Sequence, residues 1–125
     1  MLNTILHLDW ANYRPYTHEN VHSYAPTSPG VYKLAHPNTD GSLTVFYIGQ
    51  ADNLDSRLKE HLSDSEQNQC IKQKFERGDC QFTYAVVPNK NDRDGAERAL
   101  YDYFKPVCNL IVPPGPAISI NPKNT

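Results

Sequence analysis

The chain has 125 residues, with twelve Lys and Arg against fourteen Asp and Glu and a formal charge of -2 at pH 7. That length suits one domain with its own core, no apolar run approaches membrane-spanning length, and the N-terminus lacks the pattern of a secretory signal, so a soluble cytoplasmic protein is expected. The acidic balance argues against a tight, sequence-independent nucleic-acid binder, although it leaves room for local positive potential in a cleft. Cys70, Cys80 and Cys108 are odd in number, mutually distant and without a CxxC pair. Neither a disulfide framework nor a zinc site is therefore expected, and all three read as buried thiols.

Residues 1–28 read as an N-terminal extension. Leu2, Ile5, Leu6, Leu8 and Trp10 suit either a short strand or a helical turn, and the following Pro15, Pro26, Tyr13, Tyr16 and Tyr24 suggest a wrapping arm whose aromatics pack on the domain. His18 and His22 lie four apart but lack an acidic third ligand, and they are discounted as a metal pair. From Pro29 the pattern sharpens. Gly30 to Ala35 and Leu43 to Gly49 are rich in β-branched and aromatic residues and flank the turn signal Asn38-Thr39-Asp40-Gly41. With Asp40-Gly41 as a two-residue turn, Thr39 pairs with Ser42, Leu34 with Tyr47 and Tyr32 with Gly49. Tyr32 and Tyr47 then become diagonal neighbours on one face, about 7–8 Å apart. A slip of one residue, which a loop lengthened at Pro37 would introduce, places them on opposite faces.

Asp52 or Asn53 caps a helix running to about Leu62, with Leu54, Leu58 and Leu62 as its buried stripe and Arg57 and His61 together on a second face. A helix over about 66–77 buries Cys70, Ile71 and Phe75 and stops at Gly78. Cys80 to Val87 is a strand apolar on both sides, and a last helix over about 92–104 buries Ala96, Ala99, Leu100 and Tyr103 before Pro106. Residues 111–125 read as a Pro-rich flexible tail. The expected fold is α/β of the α+β kind, a small, mainly antiparallel three-stranded sheet flanked by helices.

Hydrolysis of a phosphodiester requires a base for the attacking water, a cation on the phosphate and help for the leaving oxygen. Tyr32 and Tyr47, Arg57, His61 and Glu97 are the groups that such chemistry could use. The tripeptides Gly30-Val31-Tyr32 and Tyr47-Ile48-Gly49, the run Asn53-Leu54 to Arg57, and Ala96-Glu97-Arg98-Ala99-Leu100 through Pro106 to Cys108-Asn109 resemble the signature of the GIY-YIG endonuclease family. The resemblance covers residues 29–110 and implies a nuclease domain similar to that of the bacterial excinuclease. It implies Tyr32 as general base, Tyr47 on the water or phosphate, Arg57 on the phosphate and Glu97 holding one Mg²⁺ or Mn²⁺. Asn109 is expected to brace the hairpin or the Glu97 neighbourhood, and His61 either assists the base or binds phosphate. Gly49, lacking a side chain, and Lys59 are expected against the substrate. DNA is the expected substrate, RNA the less favoured one, with a possible protein partner supplying targeting. A catalytically silent interaction module on the same fold is the alternative. Tyrosine is a poor base at its ordinary pKa of about 10, so Tyr32 needs a helper.

Overall fold

The computed structural model describes residues 5–116 and 118–121. In chain order the elements are β1 (Ile5–Leu6), β2 (Arg14–Pro15), α1 (His18–Tyr24), β3 (Gly30–Pro37), β4 (Leu43–Ala51), α2 (Leu54–His61), α3 (Gln69–Phe75), β5 (Gln81–Val86), α4 (Lys90–Phe104) and β6 (Ser119–Ile120). The main sheet has the order β2-β5-β3-β4 and is antiparallel throughout. Its three principal strands are the expected ones, with the two-residue β2 added at one edge.

β3 is covered on both faces, and its residues 30–36 are all buried. On one face Tyr32, Leu34, Phe46 and Phe82 pack with Leu54 and Leu58 of α2 and Ile71 of α3. On the other, Val31, Ala35, Val45, Ile48 and Ala85 pack with Ala96 and Leu100 of α4. Lys33 has the parity of the second face, where its ammonium lies 3.9 Å from the centre of the Trp10 ring.

The hairpin contains two irregularities that cancel. Instead of a two-residue turn, the N–H of Asn38 donates to Ser42 O at 2.7 Å and that of Gly41 to Asn38 O at 3.0 Å. Thr39, Asp40 and Gly41 thus form a three-residue loop, with Gly41 at φ +89°, where the absence of a Cβ removes the usual penalty. The longer loop sets Pro37 opposite Leu43 and Ala35 opposite Val45, one residue from the expected pairing. A β-bulge between there and Leu34 restores Leu34 opposite Tyr47 and Tyr32 opposite Gly49. The extra residue is visible in the packing, because the adjacent Phe46 and Tyr47 both join the Tyr32 face while Val45 and Ile48 join the other.

Helix boundaries follow their caps. Asn53 caps α2, accepting from Ser56 N. Asn68 caps α3, accepting from Ile71 N, which starts that helix three residues later than expected. Asn89 caps α4, and Lys105 in the left-handed region ends it before Pro106. Where an extended arm was expected, Thr17 caps the seven-residue α1, which buries Val21. Tyr16 packs into the core and donates to Leu58 O at 2.6 Å.

Two further expectations are corrected. Cys70 and Cys108 form a disulfide, and only Cys80 is a free, buried thiol. Distance along the chain misled here: 38 residues separate the pair, yet folding brings their Cα atoms to 5.3 Å. At the C-terminal end, β6 pairs in parallel with β1, and Asn121 makes hydrogen bonds to both the N–H and the carbonyl of Leu8, so residues 119–121 do not trail free. Among the described residues, no helix is long and apolar enough to cross a membrane.

Candidate active site

Tyr32 reaches the site from mid-strand on β3 and is 1% exposed. Its hydroxyl lies 2.7 Å from Nε2 of His61, the last residue of α2 and also 1% exposed. Nδ1 of His61 lies 2.6 Å from Glu66 Oε2, and the other Glu66 oxygen accepts the Asn68 N–H at 2.9 Å. Tyr47 closes the group from β4, its ring 6.2 Å from that of Tyr32 and 5.3 Å from that of His61.

A cleft of about 510 Å³ opens over these groups. Tyr47, Arg57, His61, Glu66, Glu97 and Asn109 are in its wall, and residues 110–114 line it as well. Arg57 pairs with Glu60 at 3.1 Å, a half-exposed i,i+3 contact worth little to stability, which leaves the guanidinium available to a phosphate. Asn109 acts on the hairpin. Its Oδ1 accepts Ile48 N–H at 2.9 Å and its Nδ2 donates to Ile48 O at 2.8 Å, reproducing the pair of bonds that a neighbouring strand would make along the open edge of β4.

Glu97 projects from α4, where Gln50 Nε2 donates both to it at 3.0 Å and to Asp94 at 2.7 Å. Asp94 is further held by Lys90. The donor chemistry around Glu97 fits a hard divalent cation, which keeps several waters and takes its remaining ligands from substrate phosphate. Among the described residues, no group of three or more His, Cys, Asp or Glu could hold a metal ion, so a cation at Glu97 would depend on water and phosphate for most of its ligands.

The electrostatics divide the tyrosines from the histidine. Burial, then the neighbouring Tyr47, pushes the Tyr32 hydroxyl well above its usual range, and the charge of Arg57 only partly opposes the rise. Tyr47 is raised by burial in the same way. His61 is lowered by burial and by Arg57, with Glu66 pulling in the opposite direction. Burial raises the Glu66 carboxyl, but the Asn68 N–H, His61 and Arg57 outweigh it and hold the group below its ordinary value. Tyr32 is thus a neutral phenol next to a neutral imidazole, not a preformed phenolate.

Gly49 and Lys59 do not line the cleft. A Cβ on Gly49 would stand 2.3 Å from Cζ and the hydroxyl of Tyr32, so the space left by the missing side chain holds the Tyr32 ring and not a substrate. Lys59 pairs with Asp55 at 3.1 Å and lies 3.1 Å from His22 Nδ1, on the α1 side of α2, because two residues along a helix from Arg57 point nearly the opposite way. Glu66, in the cleft wall, and Gln50, bonded to Glu97, escaped sequence reading. Glu66 lies in the irregular stretch between α2 and α3, where no periodicity marks it. Gln50 directly follows the second tripeptide, so its position beside the signature was the available signal.

No protein-family model matches the chain. It is similar to the GIY-YIG N-terminal endonuclease domain of UvrC from Thermotoga maritima in its magnesium-bound structure, with TM-score 0.56, 27% identity, 74% of this chain and 98% of that one covered. The chain has the GIY-YIG fold. A tyrosine-to-phenylalanine variant of the Thermotoga domain, bound to its catalytic divalent cation, gives TM-score 0.56 and 26% identity over the same shares. UvrABC system protein C of Acidobacterium capsulatum is 32% identical over 87 residues, 70% of this chain. This GIY-YIG chain spans 13% of the length of that curated relative.

Proposed function

We propose that the chain is a metal-dependent endonuclease that hydrolyses DNA phosphodiester bonds in the cleft between α2 and α4. The observation that carries this reading is the convergence of Tyr47, Arg57, His61 and Glu97 on one cleft over the buried Tyr32 hydroxyl. Arg57 binds the scissile phosphate with a permanent charge whose worth rises as negative charge builds on the phosphate oxygens. Tyr32 orients the attacking water and takes its proton, with Tyr47 bonding the water or a phosphate oxygen. Glu97 would hold one Mg²⁺ or Mn²⁺, which would supply charge neutralisation to the reacting phosphate. Asn109 keeps the β4 edge, and hence Tyr47, in place.

Among the described residues that line the cleft, which include Glu66 and Glu97, Arg57 is the only cationic side chain. Together with the formal charge of -2, this supports weak intrinsic affinity and a partner protein that supplies targeting. Nicking of supercoiled plasmid with Mg²⁺ or Mn²⁺, lost on chelation, is the expected result, with matched RNA cleaved more slowly. Failure to nick with any divalent metal, or nicking that survives both Tyr32→Phe and Glu97→Ala, would overturn the reading. Metal-independent binding to structured DNA without cleavage would instead indicate a silent interaction module.

A further inference from the structure

The resemblance that points to the tyrosines, Arg57, His61, Glu97 and Asn109 leaves Glu66 without a part, yet this carboxylate makes one of the shortest side-chain contacts in the cleft. Its side chain is 9% exposed, its Oε2 lies 2.6 Å from His61 Nδ1, and its Oε1 is anchored by the Asn68 N–H at 2.9 Å. Asn68 is in turn fixed by its own bond to Cys108 O at 3.0 Å, next to the disulfide. An ionised carboxylate only accepts hydrogen bonds, so the nitrogen facing it must carry a proton. A neutral imidazole then presents a bare Nε2, and the group 2.7 Å from that Nε2 is the Tyr32 hydroxyl.

We propose that Glu66 is a positioning residue that holds His61 in the Nδ1–H tautomer, so that His61, not the tyrosine, is the final acceptor of the proton released by the attacking water. The proposal rests on the nuclease reading above. As the water oxygen bonds to phosphorus, its proton passes to Tyr32 Oη while the Tyr32 proton passes to His61 Nε2. The P–O bond to the leaving group breaks, and that oxygen departs with the bonding electron pair and takes a proton from solvent. Tyr32 is neutral before and after, and the new charge is an imidazolium facing the Glu66 carboxylate. This removes the main objection to a buried tyrosine base, the cost of a phenolate shielded from water. The charged and titratable groups facing His61 are Arg57 and Glu60 of α2, Tyr32 of β3, Tyr47 of β4 and Glu66 itself.

The test uses the full chain with Glu66→Ala and Glu66→Gln. In the unmodified protein, ¹⁵N NMR of the histidine ring is expected to show His61 as a neutral Nδ1–H imidazole; in Glu66→Ala, signal from the Nε2–H tautomer should appear. Plasmid nicking by Glu66→Ala should fall at least about 10- to 100-fold in kcat, the loss typical of removing the partner that orients a metal-ligating histidine, with KM changed less than about threefold. Glu66→Gln loses the negative charge and one of the two acceptor oxygens, so it cannot accept from both the His61 Nδ1–H and the Asn68 N–H; its rate should fall and the acid limb of its pH profile should move to lower pH. An Nε2–H tautomer in the unmodified protein, or variants that keep both the rate and the pH profile, would overturn the proposal. A chain that nicks nothing overturns the nuclease reading instead, and the ring nitrogen signals of the unmodified protein and Glu66→Ala still decide whether Glu66 governs the tautomer.

Discussion

On the α2 wall of the cleft, Tyr32, His61 and Glu66 form an almost dry chain, each joined to the next by a bond of 2.7 or 2.6 Å. On the α4 wall, Glu97 shares its amide donor, Gln50, with Asp94, while the ammonium of Lys90 bonds Gln50 and Asp94. The first arrangement constrains where protons reside, since burial confines Tyr32, His61 and Glu66 to bonds with one another, with Arg57 and with the Asn68 N–H. The second holds a partly buried carboxylate at the cleft, its pKa raised by burial against the bond from Gln50, where a hydrated cation would find room. The two groups are thus built differently, one from directly bonded side chains and one from carboxylates bridged by an amide, and the GIY-YIG fold supplies them from two helices on opposite sides of one hairpin.

The comparison is broken most directly by removing the working group from each wall. Tyr32→Phe and Glu97→Gln should each reduce metal-dependent nicking by about 10²- to 10⁴-fold, with circular dichroism unchanged. Only the α4 variant should also lose Mg²⁺ binding measured by calorimetry. Equal loss of binding in both would mean that the two walls are not separate in function.

Reduction of the Cys70–Cys108 disulfide should lower stability by about 3–4 kcal/mol, given the loop it closes, as read from urea unfolding with and without reductant. Because Asn68 and Asn109 flank this bridge in space, the α2 wall should loosen before the α4 wall. Faster hydrogen exchange at Asn68 than at Glu97 after reduction is the expected sign.

Gly49→Ala forces a methyl group against the Tyr32 ring and should destabilise the fold by about 1–3 kcal/mol. It should also displace the Tyr32 hydroxyl from His61 and slow nicking. The α2 wall should be acid-sensitive too. Since His61 is lowered in the folded state, the unfolded chain binds that proton first, so this contribution is complete above the unfolded value of about 6.5 and is lost as pH falls through it toward the folded value. Glu66, also lowered, adds a second loss below its own unfolded value of about 4.3. Thermal unfolding at stepped pH, compared with Glu66→Gln, separates the two. Lys59→Ala should have the smallest effect, under about 1 kcal/mol in denaturation, because it removes only a partly exposed pair outside the cleft.

Much of the site was legible from the chain because the relevant signals are local. Strand parity puts Tyr32 and Tyr47 on one face once a register is chosen, and helical spacing puts Arg57 and His61 together. Asp52 or Asn53 announces the start of α2, and the structure selects Asn53. Fold class and hairpin required no more than this. The register itself is a different matter. The three-residue loop and the bulge at Phe46 are each one-residue departures, and either alone would have separated the tyrosines. That they cancel depends on core packing against both faces of β3, which no window of sequence contains.

The same physical division covers the rest. By itself the sequence determined the three principal strands, the helices α2 to α4 and the chemical types available at Tyr32, Arg57, His61 and Glu97, since these follow from neighbours a few residues away. Only the tertiary structure decided that Cys70 meets Cys108, that Gly49 makes room for Tyr32, that Lys59 turns toward α1 and that Glu66 stands behind His61. The first two depend on contacts between separate elements. The last two depend on the direction in which a helix face or an irregular loop points after docking, and that direction is set by long-range packing.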